Sequence, residues 1–338
     1  MRKALIIGID FYRNGNFLSG CVNDAKAMKN ALGRNYDLSL NFQCELRLAE
    51  TMRLSDGSRI GVSAVMHQDL ASDIDWLFEG EPEIALFYFS GHGAVFDGKG
   101  YLCTSDCVDK YSGVPMLNLI EAAKNSKARN KVIILDCCHS GAAGSDYFGS
   151  DVSVLPENTV IMTGCTKDGY SQERNGGGVF TQLFVKALNS AGSNIMGEVS
   201  LGSIYAYIDK SLGAFEQRPV FKANVNSFIR MKKNEPLIGM EELRRLTEFF
   251  EKPEDEYPLD PSYEEDKKNL PEGVDATRNE EHEKLFKILR KYWQNGLIVT
   301  TGLKPDKAYM YWAAVLSKGC KLTDLGRHYW NLVRNDVI

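Results

Sequence analysis

No stretch of the 338 residues approaches the roughly 18 consecutive apolar residues that a membrane span requires. The opening Met1-Arg2-Lys3 has the basic start of a signal peptide. The apolar run behind it, Ala4–Ile9, is too short and lacks a small-residue cleavage site, so a buried strand is the better reading. There are no internal repeats, and no segment resembles an EF-hand loop. The eight cysteines are scattered, with Cys137 and Cys138 adjacent, which argues against a disulfide framework and for a reduced, cytoplasmic protein. Cys103 and Cys107 have a loosely metal-like spacing, but no second Cys/His pair accompanies them and no zinc site is assigned. A basic excess is missing as well. The net charge of −5 argues against nucleic-acid binding by the chain as a whole.

What is present suits a cytoplasmic α/β protein with a smaller second module: 43% apolar and 25% charged residues over a length able to bury a full core. Short, nearly continuous apolar runs at Ala4–Ile9, Glu83–Phe89, Val132–Leu135 and Thr159–Thr163 read as strands buried on both faces. Helical patterns lie between and after them, at about Val22–Leu32, Val62–Phe78, Met116–Lys127, Phe180–Ala191 and Ser203–Leu212. A βαβα order predicts a three-layer sandwich around a mostly parallel sheet, over residues 1–231.

The composition then changes. Residues 232–280 hold 15 Asp/Glu against 8 Lys/Arg, with prolines interspersed, and read as an acidic linker with one short helix near Glu241–Phe250. Residues 281–338 reverse the balance, with 10 Lys/Arg against 5 Asp/Glu and enough Trp and Tyr for a small core. They read as a basic α+β module beginning with a helix at Glu281–Asn295. The stretch Leu322–Trp330 is similar to the wing-to-helix ending of winged-helix domains. A regulatory or partner-docking role is favoured for this module over nucleic-acid contact. Its basic aromatic face suits either an acidic partner or the chain's own acidic segment.

Two segments carry chemistry. Phe87-Tyr88-Phe89-Ser90-Gly91-His92-Gly93 is an apolar strand running into a glycine-flanked histidine. Val132-Ile133-Ile134-Leu135-Asp136-Cys137-Cys138-His139-Ser140-Gly141 is an apolar strand running into two cysteines, Cys138 lying 46 residues after His92. Catalytic groups gather at the carboxyl ends of strands in open α/β sheets. A thiolate paired with an imidazole is a nucleophile, and the imidazole can then protonate the leaving amine. The N–H groups of Gly93 and Cys138 can hold the oxyanion of a tetrahedral intermediate. Either segment alone is compatible with ordinary packing, since lone buried cysteines and histidines are common. Together they are hard to explain that way.

These two segments resemble the signature motifs of metacaspases and related bacterial caspase-like peptidases. Leu18-Ser19-Gly20-Cys21-Val22-Asn23-Asp24-Ala25 and Gly178-Val179-Phe180-Thr181 are similar to further elements of that family, and the resemblance covers about residues 1–230. It implies a caspase-haemoglobinase-type fold and a Cys-His dyad of Cys138 and His92, with Cys137 structural. It also implies a specificity pocket lined by Asp24, Asp136 and Ser90. Two carboxylates in one pocket accept Arg or Lys and repel acidic side chains. The competing local reading makes Asp24 a helix cap and Asp136 a local hydrogen-bond acceptor. No cofactor is implied. Calcium activates some family members, and Asp106, Asp109, Asp146 and Asp151 are the acidic candidates for such an effect. The alternative to an endopeptidase acting on protein substrates is a caspase-fold scaffold or sensor working through partners. The stretch between Lys131 and Lys167 contains no Lys or Arg, so an enzyme of basic preference should act as one continuous chain across Gly141–Asn158.

Overall fold

The structure, a computed structural model, describes the chain except residues 109–111, 138–154, 165–172, 175, 214–217, 267–269, 275–276 and 278. It divides into two compact units, one of residues 1–193 and 198–234, the other of residues 194–197 and 235–338.

The first unit is built on a six-stranded sheet. Its strands are β1 (Arg2–Ile9), β2 (Gln43–Ala49), β3 (Ile84–Ser90), β4 (Asn130–Asp136), β5 (Thr159–Thr163) and β6 (Val220–Asn224). They lie in the order β6-β5-β4-β3-β1-β2, all neighbours parallel except the antiparallel β5–β6 pair. Alternation divides each central strand between two cores. Leu5, Ile7, Ala85, Phe87, Phe89, Ile133, Leu135 and Ile161 face one side, beneath α2 (His67–Phe78) and α3 (Met116–Asn125). Ala4, Ile6, Leu86, Tyr88, Val132, Ile134, Val160 and Met162 face the other. There they meet α1 (Cys21–Gly33), α4 (Val179–Lys186) and α5 (Leu201–Ser211). Both faces are covered, which is why these strands read as unbroken apolar runs. The layers are close-packed: a Cβ added to Gly8 would stand 2.4 Å from the Cys21 carbonyl oxygen.

Two boundaries differ from the sequence reading for identifiable reasons. The pattern from Val62 onward is not helical before His67. Val62 N–H donates instead to Glu50 O, and Ser63 Oγ donates to Leu48 O, prolonging the β-hairpin of Thr51–Arg53 and Arg59–Gly61. The helix expected to run to Ala191 leaves α-geometry after Lys186 and finishes as a π-turn over Ala187–Ala191.

The second unit corrects the expected linker. Residues 235–264 pack into a core rather than bridging through solvent. Leu243, Leu246, Phe249, Phe250, Leu259 and Tyr263 are buried with Phe286, Leu289, Tyr292 and Ile298. The acidic excess is matched locally by the basic helix α8 (Glu280–Gln294), once the short helices α6 (Met240–Arg244) and α7 (Leu246–Phe249) are in place. Lys291 Nζ lies 2.5 Å from Glu242, Lys287 3.0 Å from Glu265, and Arg290 2.5 Å from Glu264, whose side chain is 1% exposed. The composition therefore marked two halves of one charge-paired unit, in which the buried Glu264 pairs with the part-exposed Arg290.

Three antiparallel strands, β7 (Glu256–Pro258), β8 (Ile298–Thr301) and β9 (Gly319–Leu322), run in the order β7-β9-β8, with α9 (Met310–Val315) between β8 and β9. A wing is a hairpin of consecutive strands, and here each pair, β7–β9 and β9–β8, joins strands separated in the chain by a helix, so no such hairpin is seen among the described residues of this unit. What the Leu322–Trp330 motif does mark is a helix start: Thr323 Oγ1 accepts from Gly326 N and opens α10 (Asp324–Arg334).

Candidate active site

Strands β3 and β4 are parallel neighbours whose last residues, Ser90 and Asp136, are direct register partners. The two chemical segments of the sequence therefore leave the sheet at the same edge and the same level, about 4.8 Å apart in the pairing direction. His92 lies two residues beyond Ser90, and Cys138 lies two residues beyond Asp136. Cys138 itself is outside the described residues.

His92 is held by the loop after β1. Its backbone N–H donates to Tyr12 Oη at 2.7 Å, its Nε2 is 2.9 Å from Asn16 O, and its ring is tilted against that of Tyr12 at 4.6 Å. Burial pushes the Tyr12 hydroxyl well above its ordinary pKa, so it stays protonated. Neither Tyr12 nor Asn16 was marked by any sequence signal, because both act through a loop 80 and 76 residues away.

Gly93 begins a hairpin strand, Gly93–Phe96, paired antiparallel with Lys99–Leu102. Cys103 N–H donates to His92 O at 3.0 Å, which makes Gly93–Leu102 a non-hydrogen-bonded pair. In such a pair the N–H points out of the ladder, so the Gly93 donor is directed away from its neighbour strand.

Cys137, the residue after β4, is 1% exposed and packs into the core beneath α2 and α3. Strand alternation places it with Leu135 and Ile133. Among the described residues, Cys21, Cys44 and Cys320 are free thiols.

Asp24, Asp136 and Ser90 come together on the opposite face. Asp24 is 4%, Asp136 4% and Ser90 2% exposed. Ser90 Oγ donates to Asp24 Oδ2 at 3.3 Å, and Gly178 N–H donates to the same oxygen at 2.9 Å. Asp136 Oδ2 accepts from Thr181 Oγ1 at 2.7 Å and from Thr181 N–H at 3.3 Å. Both carboxylates thus converge on the start of α4, where a Cβ on Gly178 would lie 2.2 Å from Asp136 Oδ2 and 3.2 Å from Asp24 Oδ2. Asp24 is not the cap of α1: that position is Gly20. Burial drives the neighbouring Cys21 thiol well above its usual range, and the carboxylates of Asp10, Asp136 and Asp24 add to the effect. Gly178 and Thr181 belong to the Gly-Val-Phe-Thr segment noted in the sequence, but their contact with the two aspartates could only be seen in three dimensions.

With the site in view, comparison with known proteins fixes the family. The family model described as Caspase domain matches residues 1–229. The chain belongs to the caspase-domain family. It is 29% identical over 205 residues to Metacaspase-1 of Pyricularia oryzae, covering 54% of this chain and 48% of that one. It is 33% identical over 174 residues to Metacaspase-1B of Aspergillus terreus, covering 46% and 43%. The chain thus spans about half the length of these curated relatives. Among solved structures, Caspase-1 from Spodoptera frugiperda aligns over 69% of this chain and 90% of its own, at 13% identity and a TM-score of 0.49. The doubly covered, mostly parallel sheet matches the caspase-type α/β architecture expected from the sequence.

Among the described residues no group of His, Cys, Asp and Glu is arranged to hold a metal ion, and no helix is long and apolar enough to cross a membrane. Asp106, one of the acidic candidates, accepts from Thr104 Oγ1 at 2.7 Å and from His67 N–H at 3.1 Å, at the start of α2. Asp109, Asp146 and Asp151 lie outside the described residues.

Proposed function

We propose that this protein is a cytoplasmic cysteine endopeptidase that cleaves protein substrates after Arg or Lys. Cys138 is the nucleophile, and His92 takes its proton and later returns it to the leaving amine. The observation that carries this reading is the register of β3 and β4, which brings the histidine segment and the cysteine segment to one sheet edge. Tyr12 and Asn16 hold the imidazole there, and Nε2 next to the Asn16 carbonyl oxygen fixes which nitrogen carries a proton in the neutral ring. The outward Gly93 N–H supports its oxyanion assignment, the N–H of Cys138 being the proposed second donor.

The basic preference is supported by the buried carboxylates of Asp24 and Asp136, which converge with Ser90 beside the start of α4. Two anions at one point favour a guanidinium or ammonium side chain and disfavour an acidic one. The second unit, residues 235–338 with 194–197, is assigned a regulatory or partner-docking role, with part of its basic face already occupied by its own acidic segment.

A cleavage profile on a peptide library, with the Cys138→Ala protein as control, tests the whole reading. Cleavage after Arg and Lys, lost in the control, is the expected result. Wild-type cleavage after Asp would refute the pocket, and cleavage persisting in Cys138→Ala or His92→Ala would refute the dyad. The alternative, a caspase-fold scaffold acting through partners, predicts no cleavage by the wild type.

A further inference from the structure

Behind Asp136 lies a chain of buried hydroxyls that the chemistry above does not use. Tyr88 is 0% and Thr181 1% exposed, and Tyr88 Oη lies 2.7 Å from Thr181 Oγ1. With Asp136 ionised, as the pocket reading has it, Thr181 Oγ1 gives its one hydrogen to Asp136 Oδ2 at 2.7 Å, and Tyr88 donates the Tyr88–Thr181 bond. Burial, with Asp24 and Asp136 nearby, holds the Tyr88 hydroxyl well above its ordinary pKa, so its proton remains available to donate. Thr181 N–H supplies a second donor to the same carboxylate oxygen at 3.3 Å. Every dipole in the chain points toward Asp136. Hydrogen bonds aligned this way polarise one another and favour the charged form of the acceptor.

We infer that Tyr88 and Thr181 are positioning residues that lock the Asp136 carboxylate in one orientation, keep it ionised, and so set the enzyme's selectivity for basic side chains. This rests on the proposed role of Asp136 in the substrate pocket. Neither residue reaches the sheet edge where the dyad segments emerge. Tyr88 sits two residues back along β3 and Thr181 in the first turn of α4. The relay therefore acts on substrate recognition rather than on bond cleavage. Asp24 and Cys21 from α1 and Tyr88 from β3 are titratable groups beside Asp136. Thr181 Oγ1 and Thr181 N–H are the donors through which the relay supports the Asp136 charge.

The test compares Tyr88→Phe, Thr181→Val and Thr181→Ser on matched peptides with Arg or citrulline before the scissile bond. Citrulline keeps the shape of arginine and removes the charge. Thr181→Val should lower kcat/KM for the Arg peptide by about 10- to 100-fold, the range of a hydrogen bond to a charged group. The loss should appear mainly in KM, with the citrulline peptide little changed. Tyr88→Phe should fall between Thr181→Val and wild type, and Thr181→Ser should recover most of the activity. Carboxyl-carbon NMR titration of Asp136 gives an activity-independent readout: the carboxylate should titrate at higher pH in Thr181→Val and Tyr88→Phe than in Thr181→Ser. Equal losses on both peptides, or an unchanged Asp136 titration in folded Thr181→Val, would overturn the inference. A wild type without basic preference would instead overturn the pocket reading, with the titration still deciding whether the relay exists.

Discussion

Gly178→Ala is the substitution whose outcome the packing around Asp24 and Asp136 fixes most tightly. Gly178 precedes α4 with φ −68° and ψ 132°, a conformation alanine adopts without strain. Any effect must therefore come from the added methyl group. That methyl would stand 2.2 Å from Asp136 Oδ2, 3.0 Å from its Cγ and 3.2 Å from Asp24 Oδ2. Nonbonded heavy atoms attract only from about 3.5 Å outward, so the overlap with Oδ2 exceeds an ångström. Two movements relieve it. Asp136 can turn away, which breaks its bonds to Thr181 at 2.7 and 3.3 Å, or the start of α4 can lift, which breaks the 2.9 Å bond from Gly178 N–H to Asp24. Overpacking costs about 1–3 kcal/mol and a lost hydrogen bond to a charged group about 1.5–3, giving about 2.5–6 kcal/mol of destabilisation. Gly33→Ala is the control: no heavy atom lies within 4 Å of its added Cβ, and the change should be neutral or slightly stabilising. Urea unfolding followed by circular dichroism, with Trp76 fluorescence reporting on the first unit, measures both. A Gly178→Ala midpoint indistinguishable from wild type, with cleavage after Arg intact, would refute the close approach of the helix start to the two carboxylates.

Three further outcomes follow from the same structure. Cys137→Ala should lose about 1 kcal/mol from a small cavity in the core while keeping cleavage, because Cys137 is 1% exposed among Leu135 and Phe89. Complete loss of cleavage in a folded Cys137→Ala protein would move the nucleophile to Cys137. Tyr12→Phe removes the acceptor of the His92 N–H and should cost about 1–3 kcal/mol of stability together with reduced turnover. Wild-type turnover in this variant would show that the loop does not position the imidazole. Burial raises the Asp10 carboxyl above 3.8, so the folded state binds more protons than the unfolded one between that value and its folded pKa. Stability therefore falls as pH rises through this window, and Asp10→Asn should remove that slope. Parallel stability–pH curves for the two proteins would contradict it.

The sequence reveals the strands best where they are covered on both faces. β1, β3, β4 and β5 each lie inside the sheet and read as continuous apolar runs. The edge strands β2 and β6 were not legible, because only one face of each is packed. In β2 the apolar Cys44, Leu46 and Leu48 alternate with Glu45 and Arg47. The linker reading failed for a different reason. Charge composition reports net imbalance over a window, and the acidic and basic windows here neutralise each other across a turn of chain that composition does not see. Lys291 with Glu242 and Arg290 with Glu264 are contacts over 49 and 26 residues.

The candidate site divides in the same way. His92, Ser90 and Asp136 were legible because each sits at or just beyond the carboxyl end of a buried strand, where an apolar run stops abruptly at a polar residue. The contacts that hold them were not, since Tyr12, Asn16 and Thr181 reach their targets from 80, 76 and 45 residues away. What joins the two sets is the parity of the strands. Tyr88, Ser90 and Asp136 share one face of the sheet with the helices α1 and α4, which contribute Asp24 and Thr181. Phe89, Leu135 and Cys137 share the other. A one-residue slip of β4 against β3 would exchange these faces, burying Asp136 among Leu119 and Phe87 and presenting Cys137 to the carboxylate side. The unbroken apolar stretch Val132–Leu135 is symmetrical enough to permit that slip. The polar residue that follows is not, because the α1/α4 face supplies Thr181 as a donor for the buried carboxylate, and turning Asp136 into the opposite, apolar face would forfeit those bonds.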